Sequence, residues 1–267
     1  MSYYRLLGLA EEPFSTSPDP AFFYEAPGHR SALLRLGTSI WLKRGLSLLA
    51  GDVGTGKTTL GRRLYQLFSP WPSVMTQVLL QPAYASELEF LQALLERFDG
   101  APAAAEGGRT RRSGAPEPWR LSSSSRCFQL LEETLFRRAV TERRTVVLII
   151  DEAQKLSDAS LEILRILLNY ETNEYKLLQV VLLGQQEILP RLQQMPSLWD
   201  RVSLKQILSP LDGVETKALI RFRLKAAGYR GRHPLFTEDA LEEIFQRTLG
   251  YPRRISMLAH EIGRAHV

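Results

Sequence analysis

The chain predicts an α/β fold: a three-layer sandwich around a parallel five-stranded sheet, followed by a small helical lid. Two patterns carry this expectation. Short apolar runs of strand length alternate with segments whose apolar residues recur at helical spacing, as a parallel sheet covered by helices requires. Between the first such run and the helix after it stands Gly51, Asp52, Val53, Gly54, Thr55, Gly56, Lys57, Thr58, which has the spacing of a phosphate-binding loop.

Taken in order, the chain opens with a loop rich in Pro and aromatics, including Pro13, Phe14, Pro20, Phe22, Phe23 and Tyr24, and continues as a helix over about 28–43. Residues 46–50 read as a buried strand and 59–65 as a helix. A second strand is expected at 74–80. Ser86 with Glu89 forms a capping box that opens a helix through Phe98, with Leu88, Leu91, Leu94 and Leu95 on its apolar face. From 99 to 126 the composition shifts to Ala, Gly, Pro, Ser and Arg, with Arg109, Arg111 and Arg112 close together. This reads as a flexible insertion, either a solvated linker or a contact for DNA or a protein partner. A helix near 128–141, a strand at 145–150, a helix at 157–170 and strands at 177–183 and 202–208 follow. Gly228 stops a helix over 212–227, Thr237 caps one running to about 249, and Pro252 opens the last. The expected division is a nucleotide-binding core over 1–210 and a lid over 211–267.

At 267 residues the chain has room for one large domain and a small appendage. A formal charge of +5 and a pI near 9.4 are compatible with nucleic acid or an anionic membrane surface and require neither. Cys127 stands alone, which excludes an intrachain disulfide and a cysteine zinc cluster. No apolar run approaches the roughly 18 to 20 residues of a membrane span, and the N-terminus does not have the form of a signal peptide. A cytoplasmic location is the expectation that follows.

The glycines of the loop can take backbone angles closed to other residues, so successive N–H groups can turn toward an anion at a helix N-terminus. Lys57 would reach the β and γ phosphates and the Thr58 hydroxyl would ligate Mg2+, with Thr59 closing the binding stretch. A second carboxylate source is present where the 145–150 run meets Asp151 and Glu152. Asp151, read as ending a strand beside the phosphate-loop strand, can hold magnesium; Glu152 can polarise the attacking water.

Further residues resemble one family. The opening Ser2, Tyr3, Tyr4 to Leu9, then Pro13, Phe14, Ser15, the Ser17, Pro18, Asp19, Pro20 run with Phe22, Phe23 and Tyr24, the phosphate loop, Asp151, Glu152, Ala153, Gln154, then Leu183, Gly184, Gln185, and Gly250 to Ile255 together resemble the AAA+ ATPases of the ExeA type. These are the general secretion pathway protein A group and related pilus-biogenesis ATPases, with the TniB and TnsC transposition regulators as more distant kin. The resemblance covers nearly the whole chain outside 99–126. It implies ATP as the nucleotide, in agreement with the lack of a guanine-reading motif. It also implies a homo-oligomer, a ring or a filament, and a protein partner from a secretion, pilus or transposition system, with duplex DNA as an alternative partner.

The resemblance further implies roles for single residues. Gln185 falls where a polar sensor orients water near the γ phosphate, although a strand-end polar residue would look the same. Arg201 falls where an arginine finger reaches a neighbouring subunit's nucleotide, with Arg191 as its competitor. Arg253 corresponds to the lid arginine that links nucleotide state to lid angle. Tyr24 and His29 lie in the segment that lines the adenine, where core packing is the other reading. Secretion relatives often continue into a membrane span and a peptidoglycan-binding module, whereas this sequence ends at Val267 in what reads as the last lid helix, so a direct role at the cell wall is not expected.

Overall fold

The computed structural model describes residues 3–15, 20–99, 123–231 and 233–265. In chain order the elements are α1 (Tyr3–Leu6), α2 (Pro27–Trp41), β1 (Leu46–Gly51), α3 (Lys57–Phe68), β2 (Val74–Leu79), α4 (Glu87–Asp99), α5 (Ser124–Phe136) and β3 (Thr145–Ile150). There follow α6 (Asp158–Leu167), β4 (Leu178–Gly184), α7 (Ile188–Gln193), α8 (Pro196–Trp199), β5 (Val202–Leu208), α9 (Gly213–Ala226), α10 (Glu238–Thr248) and α11 (Pro252–Ala265). Ser2, Ser17, Pro18 and Asp19 of the quoted opening, Val267, and the insertion residues 100–122 with Arg109, Arg111 and Arg112 lie outside the described residues.

The five strands form one sheet in the order β2-β3-β4-β1-β5. Parallel register joins β2 to β3, with Val74 opposite Thr145, and β3 to β4, with Val146 opposite Leu178. Composition explains who sits where. The runs LSLLAG of β1, TVVLII of β3 and LQVVLLG of β4 are buried almost throughout and hold the centre, while β2 and the alternating VSLKQIL of β5 are partly exposed and take the edges. The strand carrying Asp151 therefore does not lie beside the phosphate-loop strand as expected, because β4 is inserted between them. Periodicity reports that a strand is buried on both faces, not which strand flanks it. Gln179 is the buried polar residue of β4, and both ends of its amide are used: Gly45 N–H donates to Oε1 at 2.8 Å and Nε2 donates to the Lys176 carbonyl at 2.8 Å.

By the density of internal contacts the chain falls into two compact units, Met1–Arg35 with Leu49–Leu64 and Gln206–Val267, and Leu36–Leu48 with Tyr65–Lys205. The second unit packs Phe90, Leu94 and Phe98 of α4 and Cys127, Leu131 and Leu135 of α5 with the apolar residues of β3 and β4. The first unit has its own core of Leu9, Phe14 and Phe22 with Leu219, Ile220, Leu241, Ile244 and Ile255.

Local signals set most helix ends. Asp212 and Glu215 make the full capping box of α9, with Glu215 N–H donating to Asp212 Oδ1 at 2.8 Å and Asp212 N–H to Glu215 Oε2 at 3.0 Å. Thr237 caps α10 through Ala240 N–H at 3.2 Å. At α4 the box is shifted: Glu89 N–H donates to Ser86 Oγ, but the Glu89 carboxylate accepts its hydrogen bond from Ala85 N–H instead of Ser86 N–H. The helix expected at 128–141 begins at Ser124, because its buried stripe of Cys127, Leu131 and Leu135 starts a turn earlier, and it closes in a π-helical turn over Arg137–Thr141. Three short helices, α1, α7 and α8, were not expected; they are too brief to show a periodic stripe.

Candidate functional site

In the first unit the chain leaves β1 at Gly51 and turns through the loop into α3. Gly54 has φ +85° and Gly56 φ +100°, a backbone that L side chains rarely adopt, so glycine is required at both. A Cβ on Gly51 would lie 2.6 Å from the Leu208 carbonyl oxygen, so the third glycine is needed for close approach. Asp52 O accepts from Thr55 Oγ1 at 2.9 Å, which tightens the turn. Lys57 is only 7% exposed, and its Nζ donates to Gly51 O and Asp52 O, each at 2.8 Å. The ammonium is thus held over the loop by the loop's own carbonyls. Thr58 and Thr59 are half-buried in the first turn of α3.

Two other segments of this unit grip the loop. His29, in the first turns of α2 and 3% exposed, donates from Nε2 to Thr55 O at 2.8 Å. A carbonyl can only accept, so the proton is on Nε2 and Nδ1 carries a lone pair. Nδ1 is buried without a partner among the described residues, and burial holds the imidazole pKa below its ordinary value. The ring meets Phe23 edge to face at 5.6 Å. Opposite, the Tyr251 hydroxyl donates to Asp52 Oδ2 at 2.9 Å and Arg253 N–H donates to Gly54 O at 3.3 Å. The Asp52 carboxylate raises the Tyr251 pKa, and the Arg254 guanidinium lies 4.7 Å from the centre of the Tyr251 ring. The Arg253 side chain is exposed. Tyr24 is half-buried, 5.8 Å from Phe222, and packs with the core of this unit.

In the second unit β3 delivers Asp151 and Glu152 at its C-terminal end. Asp151 is 5% exposed and its Oδ1 accepts from Glu152 N–H at 2.9 Å. Glu152 stands in the left-handed region, φ 52° and ψ 38°, which costs a non-glycine residue about 1–2 kcal/mol and turns its side chain out of the strand direction. Its Oε2 accepts from Gln154 Nε2 at 2.8 Å and lies 3.6 Å from Lys155 Nζ. Gln185 follows β4, and its backbone N–H donates to Gln154 Oε1 at 3.0 Å. Arg191 is used within the unit, donating to Gln154 O at 2.7 Å, to Leu156 O at 2.8 Å and to Asp158 Oδ1 at 2.7 Å. Arg201 is half-buried and donates to Ser197 O and to Asn169 Oδ1.

The structure therefore brings Asp52, Gly54, Thr55 and Gly56 together with His29, Tyr251 and Arg253 in one unit, and Glu152 together with Gln154 and Gln185 in the other. Tyr251 and Gln154 carried no assigned role in the sequence; the signal was their place inside the runs around Arg253 and Glu152. Taken separately, the Thr58 hydroxyl in the first unit and the Asp151 carboxylate in the second are hard oxygen donors of the kind Mg2+ prefers, and the loop of the first unit carries an ammonium and backbone N–H groups of the kind a phosphate requires. Among the described residues no helix is long and apolar enough to cross a membrane, and no group of three or more His, Cys, Asp or Glu residues could hold a metal ion without other donors.

Comparison with known proteins agrees with this geometry. The AAA domain family matches residues 42–192. General secretion pathway protein A of Aeromonas hydrophila is 35% identical over 258 residues, covering 96% of this chain and 43% of that protein, so the chain spans less than half the length of the curated relative it matches. Among solved structures, Cdc6p from Pyrobaculum aerophilum superposes with a TM-score of 0.64 at 20% identity, covering 95% of this chain and 64% of that one. The Aeropyrum pernix ORC1 protein in complex with DNA gives 0.64 at 16% identity, covering 96% and 64%. At such identities these likenesses establish the fold alone. With β4 inserted between β1 and β3, a complete phosphate loop after β1 and paired acids after β3, the chain belongs to the AAA domain family of nucleotide-binding P-loop ATPases.

Proposed function

We propose that the chain couples Mg-dependent ATP hydrolysis to assembly of a secretion or pilus-type machine, acting as an oligomer in which each copy completes its neighbour's site. The observation that carries the reading is the preformed phosphate loop, with Lys57 seated on Gly51 O and Asp52 O and both positive-φ glycines in place. Lys57 and the loop N–H groups bind phosphate; the Thr58 hydroxyl and Asp151 would hold Mg2+, which neutralises charge on the phosphate oxygens. Glu152 takes the proton from the attacking water, Gln185 orients that water, and Arg253 links the lid over 211–267 to the nucleotide. Arg201, half-buried and bonded within its own unit to Ser197 O and Asn169 Oδ1, would exchange those bonds for the neighbour's nucleotide, a role that can be worth roughly 10³ to 10⁵ in rate. The secretion assignment is supported by the likeness to general secretion pathway protein A across 96% of this chain.

The net charge of +5, with Arg109, Arg111 and Arg112 clustered in the insertion, supports a second reading as a DNA-bound module that recruits a recombinase. One experiment separates them: ATP turnover against protein concentration, with and without duplex DNA, for the native chain, Lys57→Ala, Glu152→Gln and Arg201→Ala. Lys57→Ala is expected to lose ATP binding, and Glu152→Gln to bind ATP without turning it over. Turnover that rises cooperatively with concentration and collapses in Arg201→Ala supports the shared site. Stimulation by DNA that fades with added salt favours the recombinase reading. Native-like turnover by Glu152→Gln refutes the hydrolytic assignment.

A further inference from the structure

Gln154 has no part in the scheme above, yet both ends of its side chain are engaged. Its Nε2 lies 2.8 Å from Glu152 Oε2 and its Oε1 lies 3.0 Å from the backbone nitrogen of Gln185, at the end of β4. A backbone N–H can only donate and a carboxylate can only accept, so the amide has one orientation, oxygen toward Gln185 and NH2 toward Glu152. The residue is also anchored from behind, because its own carbonyl accepts from Arg191 Nη1 at 2.7 Å while Arg191 Nη2 holds Leu156 O at 2.8 Å. Space for the amide comes from Gly184, where a Cβ would stand 3.3 Å from Gln154 Oε1. The two runs read separately in the sequence, Asp151 to Gln154 and Leu183 to Gln185, thus meet in a single hydrogen-bonded chain.

The acceptor end of that chain is selective. Among the described residues, both partners of the Glu152 carboxylate, Gln154 Nε2 at 2.8 Å and Lys155 Nζ at 3.6 Å, fall on Oε2. A carboxylate held by one oxygen has its rotation set, and the other oxygen becomes the one offered to water. The left-handed backbone at Glu152 brings the carboxylate back over residue 154, which makes this short bond geometrically accessible.

We infer that Gln154 is the positioning residue of the general base: it fixes the Glu152 carboxylate through Oε2, presents Oε1 to the attacking water, and ties that orientation to the backbone where β4 ends. This inference rests on Glu152 being the base. It predicts that the end of β4 acts on hydrolysis through a backbone N–H as well as through the Gln185 side chain, so a shift of the 184–185 backbone would reach the base through one amide.

The test is Gln154→Met, which keeps the length of the side chain and removes its donor and acceptor. The full chain is assayed for binding of a fluorescent ATP analogue, for kcat and KM, and for thermal unfolding, alongside Glu152→Gln and the double variant. The expected result is analogue affinity and KM within twofold of native, a melting temperature lowered by no more than about 4 °C, as one part-buried backbone N–H loses its partner, and kcat lowered about 10- to 100-fold, the range that misplacement of a reacting group by about 1 Å produces. The double variant should be no slower than Glu152→Gln alone, since a residue acting only through the base has nothing left to act on. Unchanged or raised kcat in Gln154→Met overturns the inference while a dead Glu152→Gln leaves the base reading standing. Additive losses in the double variant, or nucleotide affinity falling together with kcat, also overturn it, because they mark a structural role. Native-like turnover by Glu152→Gln removes the base reading and this inference with it.

Discussion

Replacement of His29 by phenylalanine tests whether the phosphate loop is held in its binding form from outside. The bond from Nε2 to Thr55 O spans 2.8 Å in a buried setting, and its loss leaves a carbonyl unsatisfied at about 1–3 kcal/mol. The same substitution also removes the buried, unpartnered Nδ1, whose desolvation is of similar size, about 1–3 kcal/mol. The two nearly cancel in global stability, and the melting temperature should move by no more than about 4 °C. Local conformation does not cancel. Carbonyl and N–H project to opposite sides of a planar peptide, so pinning Thr55 O fixes Gly56 N–H on the face away from His29. Without the pin, the native orientation carries the orphaned carbonyl and a flipped one does not, which disfavours the binding form by about 1–3 kcal/mol. Apparent affinity scales with the fraction of competent loop, so the dissociation constant for ATP should rise by up to about 5- to 150-fold. His29→Gln, whose amide keeps a donor at similar reach, should recover most of it. Isothermal titration calorimetry with ATP and a melting curve on the same samples are sufficient. A phenylalanine variant that melts like the native chain and binds ATP as tightly refutes the argument.

His29 also predicts a pH dependence of stability. Its folded pKa is lowered by burial, so the unfolded chain binds the proton more readily; this contribution is complete above the unfolded value of about 6.5 and is lost as pH falls below it. Melting temperatures between pH 7.5 and 5 should show a decline that is smaller in His29→Phe. Gly250→Ala should be among the most damaging single-atom additions: φ is +74° and the new Cβ would lie 1.8 Å from the Leu211 carbonyl oxygen, so the positive φ costs about 1–2 kcal/mol and the clash adds to it. Urea unfolding should show a loss of at least about 2 kcal/mol, and an unchanged midpoint would contradict the backbone geometry at the start of α11.

Elements and chemistry written in neighbouring residues were legible from the sequence alone. The buried runs of β1, β3 and β4, the loop from Gly51 to Thr58, the acids after β3 and the cap at Thr237 each depend on contacts within a few positions, where spacing is itself the structural information. Tertiary structure alone decided the insertion of β4 between β1 and β3, which displaced Asp151 from the strand expected beside it. It also decided the partners: Tyr251 with Asp52 across 199 positions, Gln154 with Gln185 across 31, and His29 with Thr55 across 26. Hydrophobic periodicity tells a side chain that it must leave water, but a directional hydrogen bond needs a partner at about 3 Å, and only the order in which strands and helices pack determines which residue stands there.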